Sequence, residues 1–137
     1  MNFRSVVLKN NIEEIRTMSA FLEEIYTELN LSMENAFNIN LAIEESVTNI
    51  ILYAYPQDEE HDFILSAEHA GNQLTFKLID SGKEFDPTAR PDADITLSLE
   101  DRPIGGLGIF FMRKIMKTVE YQRVDGKNIL TMVKNLD

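Results

Sequence analysis

The stretch LAIEESVTNIILYAY, residues 41–55, is apolar apart from a few polar side chains set into it. At about 100° per residue a helix turns Ile43, Val47, Ile50 and Ala54, with Ala36 upstream, onto one side. Glu45 and Asn49 stand four apart, about 40° from each other on the opposite side. One reading makes Glu34, Asn38, Glu45 and Asn49 the wet outer face, the ordinary partner of an apolar stripe. Against it, Leu41 and Leu52 flank the pair, and Ile39, Ala42 and Ile51 fill further sectors, so the helix is greasy nearly all round. A carboxylate in such surroundings is costly unless something pairs with it. Asparagine offers an uncharged oxygen that suits Mg²⁺, and a carboxylate beside it can take a proton from an attacking hydroxyl. Glu44 points about 100° away from Glu45, so it reads as a structural or rim residue.

The punctuation around this stretch sets the architecture. Ser32 is a suitable N-cap and Pro56 a stop, predicting a helix from Met33 to about Tyr55. Upstream, FRSVVLK alternates like a strand, and Ile15, Met18, Leu22, Ile25 and Leu29 recur at helical spacing. Asn11 and Glu14 have the spacing of a capping box. Downstream, FILSAEH and QLTFKLI flank Ala70-Gly71-Asn72 as a hairpin, with Phe63, Leu65 and Ala67 on one face and Leu74, Phe76 and Leu78 on another. Residues 81–103 are polar and hold Pro87, Pro91 and Pro103, predicting a long loop with a helical turn. GGLGIFFMRKIMKT resumes as a helix, and VEYQRV, Asp125-Gly126 and NILTMVKNL close a second hairpin. The order β-α-α-ββ-loop-α-ββ predicts an α+β fold, a two-layer sandwich with helices on one face of a mainly antiparallel, mixed sheet.

Bulk properties narrow the partners. A chain of 137 residues fits one domain, residues 1–137. A formal net charge of −10 argues against a nucleic-acid partner, which needs a basic face. The absence of cysteine excludes disulfides and thiolate chemistry. No signal peptide or membrane-spanning run is visible, so a soluble cytoplasmic protein is expected.

Two further stretches carry chemistry. In IDSGKEFDP, Asp80 ends an apolar strand, and Asp80-Ser81-Gly82 is either ordinary turn chemistry or an acceptor at a pocket mouth for an exocyclic amino group, with Gly82 admitting a base close to the backbone. In IGGLGIFFM, Gly105, Gly106 and Gly108 surround Leu107 at a helix start, where free N–H groups favour phosphate; a tight turn explains them equally well. This run is neither a Walker A sequence nor a dinucleotide fingerprint.

Taken in order, EESVTN, DSGKEFDP, a long loop and IGGLGIFFM resemble the GHKL ATPase superfamily, and most of all its small bacterial anti-sigma factor serine/threonine kinases. The resemblance runs from the first strand to the last hairpin. It implies the Bergerat α/β sandwich, ATP and Mg²⁺ as cofactors, and a flexible ATP lid at about 86–105. By it Glu45 matches the general base, Asn49 the magnesium ligand and Asp80 the group that binds the adenine amino group, with Gly82 beside it. Gly106 and Gly108, with Gly105 and Leu107 in the same run, match the phosphate-receiving helix start, and Arg102 is the basic residue nearest the lid's end. The sequence departs at Glu84, where the superfamily usually has a glycine, although FDP resembles the anti-sigma branch. Nothing upstream supplies a phospho-accepting histidine hairpin, and His61 and His69 read as exposed strand-edge residues.

The resemblance implies a protein serine/threonine kinase acting on an anti-anti-sigma (STAS-type) partner, binding that partner or a sigma factor, with a homodimer expected. The alternatives are a nucleotide-gated binding module without phosphotransfer, and an interaction domain that binds no nucleotide.

Overall fold

The computed structural model describes residues 2–89 and 106–136. Strand β1 (Phe3–Lys9) leads through a single 3-10 turn (Ile12–Glu14) into helix α1 (Ile15–Leu29). The expected capping box is rearranged by that turn. Asn11 accepts from the Glu13 N–H at 2.9 Å, while Glu14 reaches back past it to the Lys9 N–H at 3.0 Å. Asn30 ends α1 in the left-handed region, φ 52°, which asparagine tolerates better than most residues.

Helix α2 (Met33–Asn49) starts where Ser32 accepts from the Asn35 N–H at 3.1 Å. The helical run continues past Asn49 and ends at Ala54, with Tyr55 as its extended C-cap, where the sequence places the stop. After Asn49 the backbone widens into one π turn over Ile50–Ala54, a local adjustment common beside functional sites. Gln57 donates to the carbonyls of Ile51 (3.1 Å) and Leu52 (3.0 Å), which satisfies groups the widened turn leaves open.

Two hairpins follow. Strands β2 (Asp62–Ala70) and β3 (Gln73–Asp80) turn at Gly71, φ 59°; β4 (Thr118–Val124) and β5 (Lys127–Asn135) turn at Asp125 (φ 51°) and Gly126 (φ 77°), the paired positive dihedrals of a type I′ turn. Helix α3 (Gly106–Ile115) lies between the hairpins, and the predicted helical turn in the long loop is present at Pro87–Ala89. The sheet runs β1-β2-β3-β5-β4 and every neighbouring pair is antiparallel, so the sheet is not mixed.

Alternation along the strands decides which face is covered. Leu8, Phe63, Leu65, Ala67, Leu74, Phe76, Leu78, Leu130 and Met132 are buried against Met18, Leu22 and Ile25 of α1, Ile39, Ile43 and Val47 of α2, and Ile109 and Met112 of α3. The opposite sheet face leaves Phe3, Val7 and Ile64 exposed. The inward rows of β3 and β5 each end in one polar residue at the same edge of the core, Asp80 and Asn128, which stand directly opposite each other.

Candidate functional site

A cavity of about 380 Å³ opens between α2, α3 and the ends of β3, β4 and β5. Glu45, Asn49 and Tyr53 line one wall; Asp80, Lys83, Phe85, Tyr121 and Asn128 stand across it. The buried face of α2 is Ile39, Ala42, Ile43, Ser46 and Val47, rotated from the expected Ala36–Ile43–Ile50 centre. The solvent side is Glu34, Phe37, Leu41 and Glu44, so Glu45 and Asn49 are not the outer face; they are half-buried on the flank that looks into the cavity.

Glu45 and Asn49 stand one turn apart on the same flank of α2 and both line the cavity. Burial pushes the Glu45 carboxyl above its ordinary value and Glu44 adds to the rise, while the neighbouring Asn49 amide opposes it. The Asn49 amide can offer an uncharged oxygen to a cation. Mg²⁺ takes one or two protein ligands and fills the rest with water and phosphate oxygens. Asn49 with an adjoining carboxylate fits that chemistry, and among the described residues no three His, Cys, Asp or Glu gather into a cage of their own.

Asp80 is buried. Its Oδ1 accepts from the Gly82 N–H and from Asn128 Nδ2, each at 2.9 Å. Gly82 does not line the cavity. Its missing side chain makes room for the π turn after α2 instead: an added Cβ would fall 2.3 Å from the Ala54 carbonyl oxygen, and Lys83 N–H donates to that same oxygen at 2.8 Å. Close approach, predicted for a base, is thus used by the protein's own backbone.

Of the glycine-rich run, Gly106 begins α3 and Gly108 lies within its first turn; Gly105, Arg102, the Leu107 side chain and the expected lid beyond residue 89 lie outside the described residues. Gly108 packs on the catalytic candidate. A Cβ there would fall 2.0 Å from Glu45 Cδ and 2.4 Å from its Oε1. The first turn of α3 thus packs beside Glu45, and free N–H groups at a helix start favour a phosphate group. Farther along α3, Arg113 donates to the carbonyls of Pro87 (3.2 Å) and Thr88, tying the helix to the chain leaving β3.

Several lining residues escaped the sequence reading. Tyr121 and Arg123 on β4 both donate to Asn128 Oδ1, at 2.5 and 3.1 Å, and Arg123 also reaches the Gly82 carbonyl at 2.8 Å. The available signal was a polar residue at an inward position, since Asn128, Leu130 and Met132 alternate on β5. Tyr55, read as a packing residue, is buried, stacks on His61 at 4.4 Å and accepts from the Ser81 N–H at 2.8 Å. Tyr53, given the same reading, is mostly exposed and lines the cavity. His61 is half-exposed and bonds Glu59 at 2.8 Å.

An antiparallel sheet backed by helices, with an acid–amide pair and a buried aspartate around one cavity and a glycine of a helix start packed on the acid, has the architecture of an α+β domain of the ATPase class. Residues 8–134 match the histidine kinase-like ATPase domain, and the chain belongs to that family. It is 29% identical over 115 residues to serine/threonine-protein kinase BtrW of Bordetella bronchiseptica, covering 84% of this chain and 81% of that protein. The anti-sigma F factor of Caldanaerobacter subterraneus is 24% identical over 130 residues, covering 88% and 90% of the two chains. Serine-protein kinase RsbW of Listeria monocytogenes is 24% identical over 113 residues, covering 80% and 72%. The crystal structure of the RsbU and RsbW domains of a Mycobacterium tuberculosis protein superposes with a TM-score of 0.72 at 20% identity, over 99% of this chain and 33% of that larger one. That likeness concerns the fold, and it agrees with the predicted α+β sandwich.

Proposed function

We propose that this chain is an Mg-ATP-binding anti-sigma regulatory factor that phosphorylates serine or threonine on an anti-anti-sigma (STAS-type) partner in the cytoplasm. By binding either that partner or a sigma factor it would switch partners, acting as a homodimer. The observation that carries the reading is the Glu45–Asn49 pair, turned into the cavity opposite Asp80 and set against the glycine start of α3. The names of the relatives, kinases and anti-sigma factors alike, support it.

In this reading Asp80 receives the exocyclic amino group of adenine, and Tyr53 and Phe85 offer apolar surface to the base. The N–H groups at the start of α3 meet the phosphates. Asn49, with Glu45 adjoining, would hold Mg²⁺. When bound, Mg²⁺ supplies charge neutralisation for the triphosphate. The partner's hydroxyl oxygen forms the new bond to the γ-phosphorus, the bond from that phosphorus to the bridging oxygen breaks, and ADP leaves with the electron pair. Glu45 takes the hydroxyl proton. Its raised pKa brings the carboxylate nearer to the working pH, where a general base is most effective. The presence of both Glu45 and Asn49 on the cavity wall favours phosphotransfer over a binding module that only senses nucleotide.

The test uses labelled ATP, the whole chain and a small STAS-type protein as acceptor. Label should move to Ser or Thr of the acceptor, and Glu45→Gln should abolish the transfer while nucleotide binding persists. Normal transfer by Glu45→Gln would show that another group is the base. Asp80→Asn should lose nucleotide binding, because an amide presents a donor where the base needs an acceptor.

A further inference from the structure

Asn128 has no part in the chemistry above, yet it is buried on the cavity wall. An asparagine side chain has two N–H donors and two acceptor lone pairs. All four are engaged. Nδ2 donates to Asp80 Oδ1 (2.9 Å) and to the Lys83 carbonyl (2.8 Å), while Oδ1 accepts from Tyr121 Oη (2.5 Å) and from Arg123 (3.1 Å). Asn128 therefore has nothing left to offer a ligand. What it can do is hold its neighbour.

That neighbour is held on one side. Asp80 Oδ1 receives two donors, Asn128 Nδ2 and the Gly82 N–H, which uses its lone pairs. Oδ2 receives no bond from a described residue, and none of the fully buried side-chain oxygens among those residues lacks a partner, so Oδ2 opens onto the cavity. The row continues across the sheet: Asp80 pairs with Asn128, and Asn128 with Arg123, whose guanidinium also ties down the Gly82 carbonyl. The second hairpin thus fixes both the carboxylate and the turn after it.

We propose that Asn128, supported by Tyr121 and Arg123, is a positioning residue that sets purine selectivity, holding Asp80 so that a bare acceptor oxygen faces the base. An amino group at that place is bound and a carbonyl oxygen is repelled. The inference rests on the reading of Asp80 as the acceptor for the base. It adds that the discrimination belongs to the β4–β5 hairpin as much as to Asp80.

Calorimetry on the whole chain with the magnesium complexes of ATP, ADP and ITP tests it, since inosine carries a carbonyl where adenine carries the amino group. Wild type should prefer ATP over ITP by roughly 10- to 100-fold, the worth of one hydrogen bond to a charged group. Asn128→Asp, nearly the same shape, and Asn128→Leu should weaken ATP about tenfold and shrink the ATP/ITP preference to about threefold, since the acceptor is no longer oriented. The ATP/ADP ratio should stay within about twofold, because the phosphate end is untouched. Tyr121→Phe, which removes one hydroxyl from a half-exposed ring, should move the same ratio in the same direction by a smaller factor, and it decides the matter if the Asn128 variants do not fold. Equal losses for all three nucleotides would reduce Asn128 to a structural role. An unchanged ATP/ITP ratio in the folded variants, or in Tyr121→Phe when it is the deciding variant, would overturn the proposal. If wild type itself bound ATP and ITP alike, the reading of Asp80 would fail first.

Discussion

Glu45 is held by neighbours of opposite effect. Burial and Glu44 raise its carboxyl, and the neighbouring Asn49 amide opposes the rise. The folded-state pKa therefore lies above the unfolded one, so the native state binds the proton more tightly. Stability contributed by this group is present at low pH and is lost as pH rises through the folded value. The carboxylate is thus a cost at neutral pH that the proposed function requires. Glu45→Gln removes the half-buried charge and keeps the shape, so Tm at pH 7 should rise by about 1–3 °C. The same substitution should lower phosphotransfer by at least about 100-fold, the usual span of general-base catalysis. Thermal unfolding beside a transfer assay checks both. For the wild type, transfer should increase as pH rises through the elevated Glu45 pKa and then level off, because the base acts ionised. A pH profile of Glu45→Gln that rises as the wild-type profile does, with nucleotide saturating, would exclude Glu45 as the proton acceptor.

At the level of elements, two glycines illustrate what each close approach costs. An added methyl at Gly82 meets the Ala54 backbone, oxygen and carbonyl carbon at 2.3 and 2.8 Å. Backbone cannot step aside, so Gly82→Ala should destabilise by roughly 1–3 kcal/mol, the range for overpacking, read as a lower denaturant midpoint with unchanged slope. At Gly108 the added methyl meets the end of the Glu45 side chain, which is flexible and half-buried. Glu45 can swing away, and alanine is a better helix former than glycine by about 1 kcal/mol. Gly108→Ala should hold or slightly raise Tm while transfer falls about tenfold or more, since misplacing a base by about an ångström has that order of effect. Loss of stability without loss of transfer would reverse the assignment. Elements of this kind were legible where local chemistry is decisive. Ser32, Asp125-Gly126 and the alternation of Phe63, Leu65 and Ala67 needed no tertiary information. The end of the helical run at Tyr55 was legible from Pro56, but the widening after Asn49 was not, because it is bonded by Gln57 from outside the stretch.

Across the whole molecule, the readable part of the site was the part confined to short segments: Glu45 with Asn49 on one helix, Asp80 with Gly82 in one turn. Asn128, Tyr121 and Arg123 join them only because β5 is inserted between β3 and β4, which brings residues 48 positions apart within 2.9 Å of each other. The charge has the same global character. A chain of net charge −10 must hold a triphosphate that is itself strongly negative. Locally the α3 N-terminus and Lys83 favour it; at longer range the protein repels it. Chelating Mg²⁺ should therefore weaken ATP binding by at least about tenfold, and raising salt should then recover part of the loss by screening the repulsion, because the Debye length shortens from about 10 Å at 0.1 M to 3 Å at 1 M. A basic nucleotide site would behave the other way and lose affinity steadily with salt. Fluorescent-nucleotide titrations at several salt concentrations, with and without EDTA, separate the two. Affinity that ignores EDTA, or that falls with salt in its presence, would mean that the phosphates are held by cationic side chains and that Asn49 carries no metal.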